Sequence, residues 1–142
     1  MTNDSFYAII VLENKKGTLK MYSVEFYEKS DGKSDIWDFL EELRAKSDKN
    51  KDARIQYKQI SLCIELLQSK GTYLPDNITK FIDDGIWELR PGHNRIFYFY
   101  YDNNTFVLLH CFRKKSQKTP SAEIQKAKNE RDDYLRRKEK SQ

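Results

Sequence analysis

The segment Ile86–Pro120, IWELRPGHNRIFYFYYDNNTFVLLHCFRKKSQKTP, constrains the fold of this chain more than any other. Three stretches in it, Trp87–Arg90, Arg95–Asp102 and Thr105–Lys114, carry strand signals and read as an antiparallel meander. Asn103-Asn104 supplies the last turn, because Asn tolerates the positive φ that a type I′ turn demands. A two-residue turn fixes a register in which Arg95 opposes Phe112 and Phe97 opposes His110. A four-residue loop at 91–94 sets Arg90 opposite Arg95. Alternation then sorts the side chains. Trp87, Leu89, Ile96, Tyr98, Val107, Leu109 and Cys111 share one face, expected to pack on helices. Glu88, Arg90, Arg95, Phe97, His110, Phe112 and Lys114 share the other, expected to be open, basic at its loop end and aromatic at its far end.

The same segment concentrates the charge. It holds six cations, Arg90, Arg95, Arg113, Lys114, Lys115 and Lys118, against Glu88 and Asp102, a net +4. The whole chain of 142 residues also carries +4, so the remaining residues balance. Such a local excess is the footprint of a phosphate-binding face. Two directly opposed arginines repel across a sheet, a cost that makes sense where an anion sits between them. Phe97, Phe112 and Tyr101 offer stacking surfaces, and interleaved rings and cations favour a nucleic-acid strand over a small phosphate.

Upstream, Tyr22, Val24 and Phe26 alternate with Ser23, Glu25 and Tyr27, the pattern of a half-buried strand. Ser34 is placed as an N-cap before Ile36, Phe39, Leu40 and Leu43, an amphipathic helix. A longer helix follows with Ala53, Tyr57, Ile60, Ile64 and Leu67 on one stripe, widened by Leu62, Cys63 and Leu66, and Gly71 stops it. The short connection between them predicts an antiparallel helical hairpin. Ile78–Ile82 is a short strand candidate. Thr119 caps a last helix with Pro120 at its first position, and Ile124, Ala127, Arg131, Tyr134 and Leu135 keep helical spacing. The order β-α-α-β-β-β-β-α predicts an α+β fold, with an N-terminal strand and helical hairpin packed on an antiparallel sheet meander and a C-terminal helix. One domain over residues 21–142 is expected. Residues 1–20 are either an extension outside the core or contribute a further strand at Tyr7–Leu12.

No apolar run approaches the roughly 20 residues of a membrane span, and the N-terminus lacks the basic region and cleavage site of a signal peptide. Cys63 and Cys111 read as core thiols of a cytoplasmic protein. There is no Gly-rich phosphate loop and no metal-ligand spacing, so no cofactor or metal is expected. His93 and His110 are the only histidines. Lysine or histidine acid–base chemistry is what the sequence leaves available.

Glu88-Leu89-Arg90, Asn94-Arg95-Ile96-Phe97-Tyr98, Val107-Leu108-Leu109-His110-Cys111-Phe112 with Lys114-Lys115, and Gln117-Lys118-Thr119-Pro120 with Glu123-Ile124 and Ala127 resemble the HigB branch of the RelE/ParE toxins of toxin–antitoxin pairs. The resemblance spans Met21 to about Arg137. It implies a ribosome-dependent endoribonuclease that cuts messenger RNA without metal, through attack of the ribose 2′-hydroxyl on the adjacent phosphate. By the same likeness Arg95 matches the arginine on the scissile phosphate, Arg90 the basic strand position before it, and Lys114 and Lys115 the basic pair after the last strand. Lys114, His110 and His93 are the candidates for proton transfer; the bland alternatives are a packed strand position for His110 and an ordinary loop position for His93. Arg113, Lys118, His93, Phe97 and Phe112 are expected to hold RNA. Some RelE-type toxins carry a tyrosine on the segment where this chain has Lys118-Thr119-Pro120-Ser121, which leaves the proton-transfer groups open. The implied partners are a helix-turn-helix, HigA-like antitoxin, messenger RNA on the ribosome, and operator DNA only through the antitoxin complex. The alternatives are a ParE-like gyrase poison and an inactive phage remnant that only binds antitoxin.

A chain beginning at Met21 is expected to fold and to arrest growth when expressed alone. Solubility and a growth curve test this. An insoluble or harmless truncation would place Tyr7–Leu12 in the core.

Overall fold

The computed structural model describes residues 20–141. The strand candidate at Tyr7–Leu12 lies outside the described residues. The elements run β1 (Ser23–Phe26), α1 (Asp35–Lys46), α2 (Lys51–Lys70), β2 (Thr79–Asp83), β3 (Ile86–Leu89), β4 (Asn94–Asp102), β5 (Thr105–Arg113) and α3 (Ser121–Lys140). One five-stranded sheet in the order β1-β5-β4-β3-β2 joins the strands of the described residues. The meander β2–β5 is antiparallel as expected, and β1 adds a parallel edge strand that makes the whole sheet mixed, with Ser23 opposite Thr105 and Phe26 opposite Leu108. Alternation reports which face of a strand is buried and says nothing of its direction.

Local signals hold at most element ends. Ser34 Oγ accepts from the Trp37 amide at 3.2 Å, and Asn50 Oδ1 accepts from Ala53 at 3.0 Å, so both hairpin helices start on side-chain caps. Asp35 and Asp38 lie in the first turn of α1, Arg44 and Lys46 in its last, each favourable to the helix dipole. Gly71 ends α2 at φ +60°, and a Cβ there would stand 2.8 Å from the Tyr22 ring. That position therefore needs glycine for both backbone and space.

The buried stripe of α1 is Ile36, Trp37, Leu40 and Leu43, with Phe39 only half-buried. Trp37 and Phe39 flank the same stripe on opposite sides, and Phe39 borders an open cavity beside Asn94, Cys111 and Phe112. Leu62, read as part of the α2 stripe, is 54% exposed on its outer face.

The Asn103-Asn104 turn forms as expected, both residues at positive φ, with Asp102 opposite Thr105. Arg95 opposes Phe112 and Phe97 opposes His110, again as expected. Between these points the register slips by one: Tyr98 pairs with Leu108 and Tyr100 with Phe106. Leu109 on β5 and Tyr101 on β4 are the extra residues of two bulges, which cancel. A one-residue slip exchanges faces. Phe106 and Leu108, not Val107 and Leu109, therefore join Leu89, Ile96 and Tyr98 against the hairpin.

The second face is not open. α3 packs across it and encloses Ile86, Phe97, Phe99, Val107 and Leu109 with Ala127 and Tyr134. The sheet is thus buried on both sides over β4 and β5, where each fully enclosed apolar side chain contributes about 1.5–3 kcal/mol. Leu135, assigned to the stripe of α3, is partly exposed instead.

Trp37→Ala is expected to cost about 3–5 kcal/mol in urea unfolding and Phe39→Ala roughly half that. Equal costs would show that both flanks of α1 are core.

Candidate phosphate-binding cleft

The cations of the meander converge at one end of the sheet. The β3–β4 loop (91–94), the end of β5 and the segment after it enclose an open cavity of about 660 Å³. Arg90, His93, Arg95, Lys114 and Lys115 line it, together with Asn77, Gly92, Ser116 and Gln117. The loop is fixed by Gly92 at φ +63°, whose missing Cβ leaves room for the Gln59 side-chain amide of α2. The Lys114 amide donates to the His93 carbonyl at 2.8 Å, tying the two walls together.

The opposed arginines do share an anion, and it belongs to the protein. Glu88, 1% exposed, puts Oε1 3.3 Å from Arg90 Nε and 3.8 Å from Arg95 Nε. These three atoms are buried and approach one another without aligned hydrogen bonds. Arg90 Nη1 donates to the Asp76 carbonyl at 2.9 Å. Arg95 Nη1 donates to the carbonyls of Gly92 and Asn94 at 2.7 and 2.8 Å. Nη2 of each arginine makes no hydrogen bond among the described residues, and both side chains line the cavity. Burial is the main influence on the Arg95 guanidinium and lowers its pKa, with Arg90 adding to the fall and Glu88 opposing it. Arginine stays charged regardless. Four cations therefore surround the cavity against one buried carboxylate.

Glu88 has a second partner that sequence reasoning assigned elsewhere. Thr119 does not cap α3: the N-cap is Pro120, without a side-chain hydrogen bond. The Thr119 hydroxyl instead donates to Glu88 Oε2 at 3.2 Å, linking the start of α3 to the arginine pair.

His110 is withdrawn from the cleft. It is 1% exposed, with Nδ1 2.6 Å from Glu130 Oε1 and Nε2 2.9 Å from Glu123 Oε1, both on α3. Neither ring nitrogen is left for a substrate. Sequence reasoning missed this because it left the α3 face of the sheet uncovered. Phe97 is likewise fully enclosed, at 5.3 Å from the Phe112 ring, and offers no stacking surface. Phe112 is half-buried beside it. Tyr101 packs on Tyr134 of α3. Arg113 points the other way, with Nη1 3.3 Å from Gln56 Oε1, which also accepts from Asn94 at 2.9 Å. Lys118 is exposed in the turn beyond the cleft, where Ser116 Oγ donates to its carbonyl. Burial raises the thiol pKa of Cys63 to about 11 and that of Cys111 to about 12, consistent with packed, unreactive cysteines. No described helix is long and apolar enough to cross a membrane.

This is an α+β domain with a cationic cleft at the end of a mixed sheet. Residues 38–132 match the family described as "Phage derived protein Gp49-like (DUF891)", and the chain belongs to that family. The match includes every residue lining the cleft. No curated protein matches the sequence. Among solved structures, the YoeB–YefM complex from Staphylococcus aureus aligns at 15% identity over 67% of this chain and 98% of that one, with a TM-score of 0.43. The YoeB dimer from the same organism aligns at 13% identity over the same shares, with a TM-score of 0.43.

His110→Ala is expected to cost about 3 kcal/mol, because it leaves two carboxylates of α3 facing each other over a buried gap. Lys114→Ala should leave stability unchanged. Thermal melts compare them, and a neutral His110→Ala would show that the imidazole does not hold α3 to the sheet.

Proposed function

We propose that this protein is the toxin of a type II toxin–antitoxin pair and cuts messenger RNA on the ribosome as an endoribonuclease. The observation that carries the reading is the cleft itself, where Arg90, Arg95, Lys114 and Lys115 face one cavity with His93 on its rim. Membership of a phage-derived family supports the same reading.

The chemistry follows from the groups available. The ribose 2′-hydroxyl attacks the neighbouring phosphate, leaving a 2′,3′-cyclic phosphate and a free 5′-hydroxyl. Nη2 of Arg90 and Arg95 donate to the non-bridging oxygens, and Lys115 adds charge against the phosphorane. One positioned acid or base supplies about 10²–10⁴-fold. Lys114 and His93 are the groups for that role, since both line the cavity and His110 is enclosed by Glu123 and Glu130. Arg113 and Lys118 extend the cationic surface on either side for the RNA backbone, and the exposed part of Phe112 is the remaining ring for a base. No metal or cofactor enters this scheme. A helix-turn-helix, HigA-like antitoxin neutralises the toxin and carries the pair to operator DNA. The protein works in the cytoplasm, where ribosomes are.

Incubation with pre-assembled ribosomes and message tests the proposal through the product ends. A 2′,3′-cyclic phosphate with a 5′-hydroxyl is expected, and Arg95→Ala should abolish both cutting and growth arrest while remaining folded. A 5′-phosphate would sink the mechanism. Inhibition of gyrase supercoiling without RNA cutting would sink the enzymatic reading. With three to five phosphate contacts, RNA affinity should fall with salt at a log–log slope of roughly −2 to −3.5, at about −0.7 per contact on a single strand. Lys115→Ala should flatten that slope by somewhat less than one unit.

A further inference from the structure

A carboxylate beside a phosphate site is paradoxical, because it opposes the substrate's charge. Glu88 nonetheless sits between the two arginines that face the cleft, buried and 3.3 and 3.8 Å from their Nε atoms. Its outer environment is closed as well: Oε2 accepts from Thr119. Its backbone carbonyl accepts from Thr79 of β2 at 2.9 Å. The carboxylate is thus held from the strand on one side and from the entry of α3 on the other.

The partition of donors on the arginines shows what this achieves. On each, Nε faces Glu88 and Nη1 is engaged by loop carbonyls, leaving Nη2 for the cavity. A guanidinium is a rigid fork, so fixing two of its nitrogens fixes the third. Without the carboxylate, two like charges at adjacent strand positions would repel and splay.

We infer that Glu88 is a positioning residue: it gives up electrostatic attraction for the RNA in order to hold Arg90 and Arg95 aimed at one phosphate, and Thr119 makes that aim depend on the docking of α3. This rests on the endoribonuclease reading above. It has an unusual consequence, because binding and cutting should move in opposite directions when Glu88 is neutralised.

Glu88→Gln keeps the shape and removes the charge. The variant should bind a short single-stranded RNA as tightly as wild type or tighter, with a salt slope steeper by about 0.7 for one additional cation available to the backbone. At saturating toxin, ribosome-dependent cutting should fall about 10–100-fold, the scale of a misplaced group. Thr119→Val should lower cutting severalfold with RNA affinity unchanged, and Glu88→Asp should restore part of it. The Nε–H resonances of Arg90 and Arg95, assigned through lysine substitutions, should shift in Glu88→Gln toward those of free arginine. Cutting that rises with affinity, or stays at wild-type level, would overturn the inference. If Glu88→Gln does not fold, Thr119→Val decides: a folded variant with wild-type cutting and unchanged Nε–H signals overturns it. If wild-type protein does not cut RNA at all, the enzymatic reading fails separately. The Nε–H shifts then still decide whether Glu88 aims the arginines.

Discussion

Burial of both faces of β4 and β5 is the constraint on which the rest of this structure depends. Ile96, Tyr98, Phe106 and Leu108 meet the helical hairpin, while Phe97, Phe99, Val107 and Leu109 meet α3. A strand enclosed on both sides cannot leave a polar side chain unanswered in its interior. His110 is answered by Glu123 and Glu130, Glu88 by Arg90, Arg95 and Thr119, and Asn94 by Gln56. The polar groups of the sheet interior therefore become ties between layers. At the sheet's end cationic side chains instead line an open cavity together.

That end is where the cleft lies, and its electrostatics are a compromise. Cations concentrated by the sequence are brought within reach of one another by the meander, and one of the two acids in the segment is buried among them. The result is a site still positive overall, with two arginines that line one cavity beside a shared buried carboxylate. A cleft built only of cations would attract nucleic acid more strongly and hold its groups less firmly. The same geometry separates the two histidines, His93 on the rim and His110 in the interior. They share a residue type and an electrostatically similar segment, yet one lines the open cleft and the other ties α3 to the sheet.

In this member of the phage-derived family the mixed sheet ends in the cationic cleft. The cleft residues come from loops and strand ends, while the helices supply rigidity. Gln59 of α2 underpins the Gly92 loop and Thr119 at the entry of α3 reaches Glu88, so both helical layers bear on the site from outside it.

The sequence by itself determined whatever depends on neighbours along the chain. Ser34 as a cap, Gly71 as a stop, the Asn103-Asn104 turn and the clustering of charge are all local and appear where the residues put them, as do the helical stripes except at their margins, where Phe39 is half-buried and Leu62 and Leu135 are exposed. The register at both ends of the β4–β5 pair was equally legible, because a two-residue turn fixes it. Tertiary structure decided the remainder. The paired bulges at Leu109 and Tyr101 leave the total register unchanged and hence leave no trace in spacing, yet they exchange which side chains face the hairpin. The direction of β1 is invisible to alternation. The placement of α3 over the second face turned an expected RNA surface at Phe97 and His110 into core. It also drew Thr119 away from its cap and onto Glu88, so the anion that the opposed arginines called for was found inside the protein.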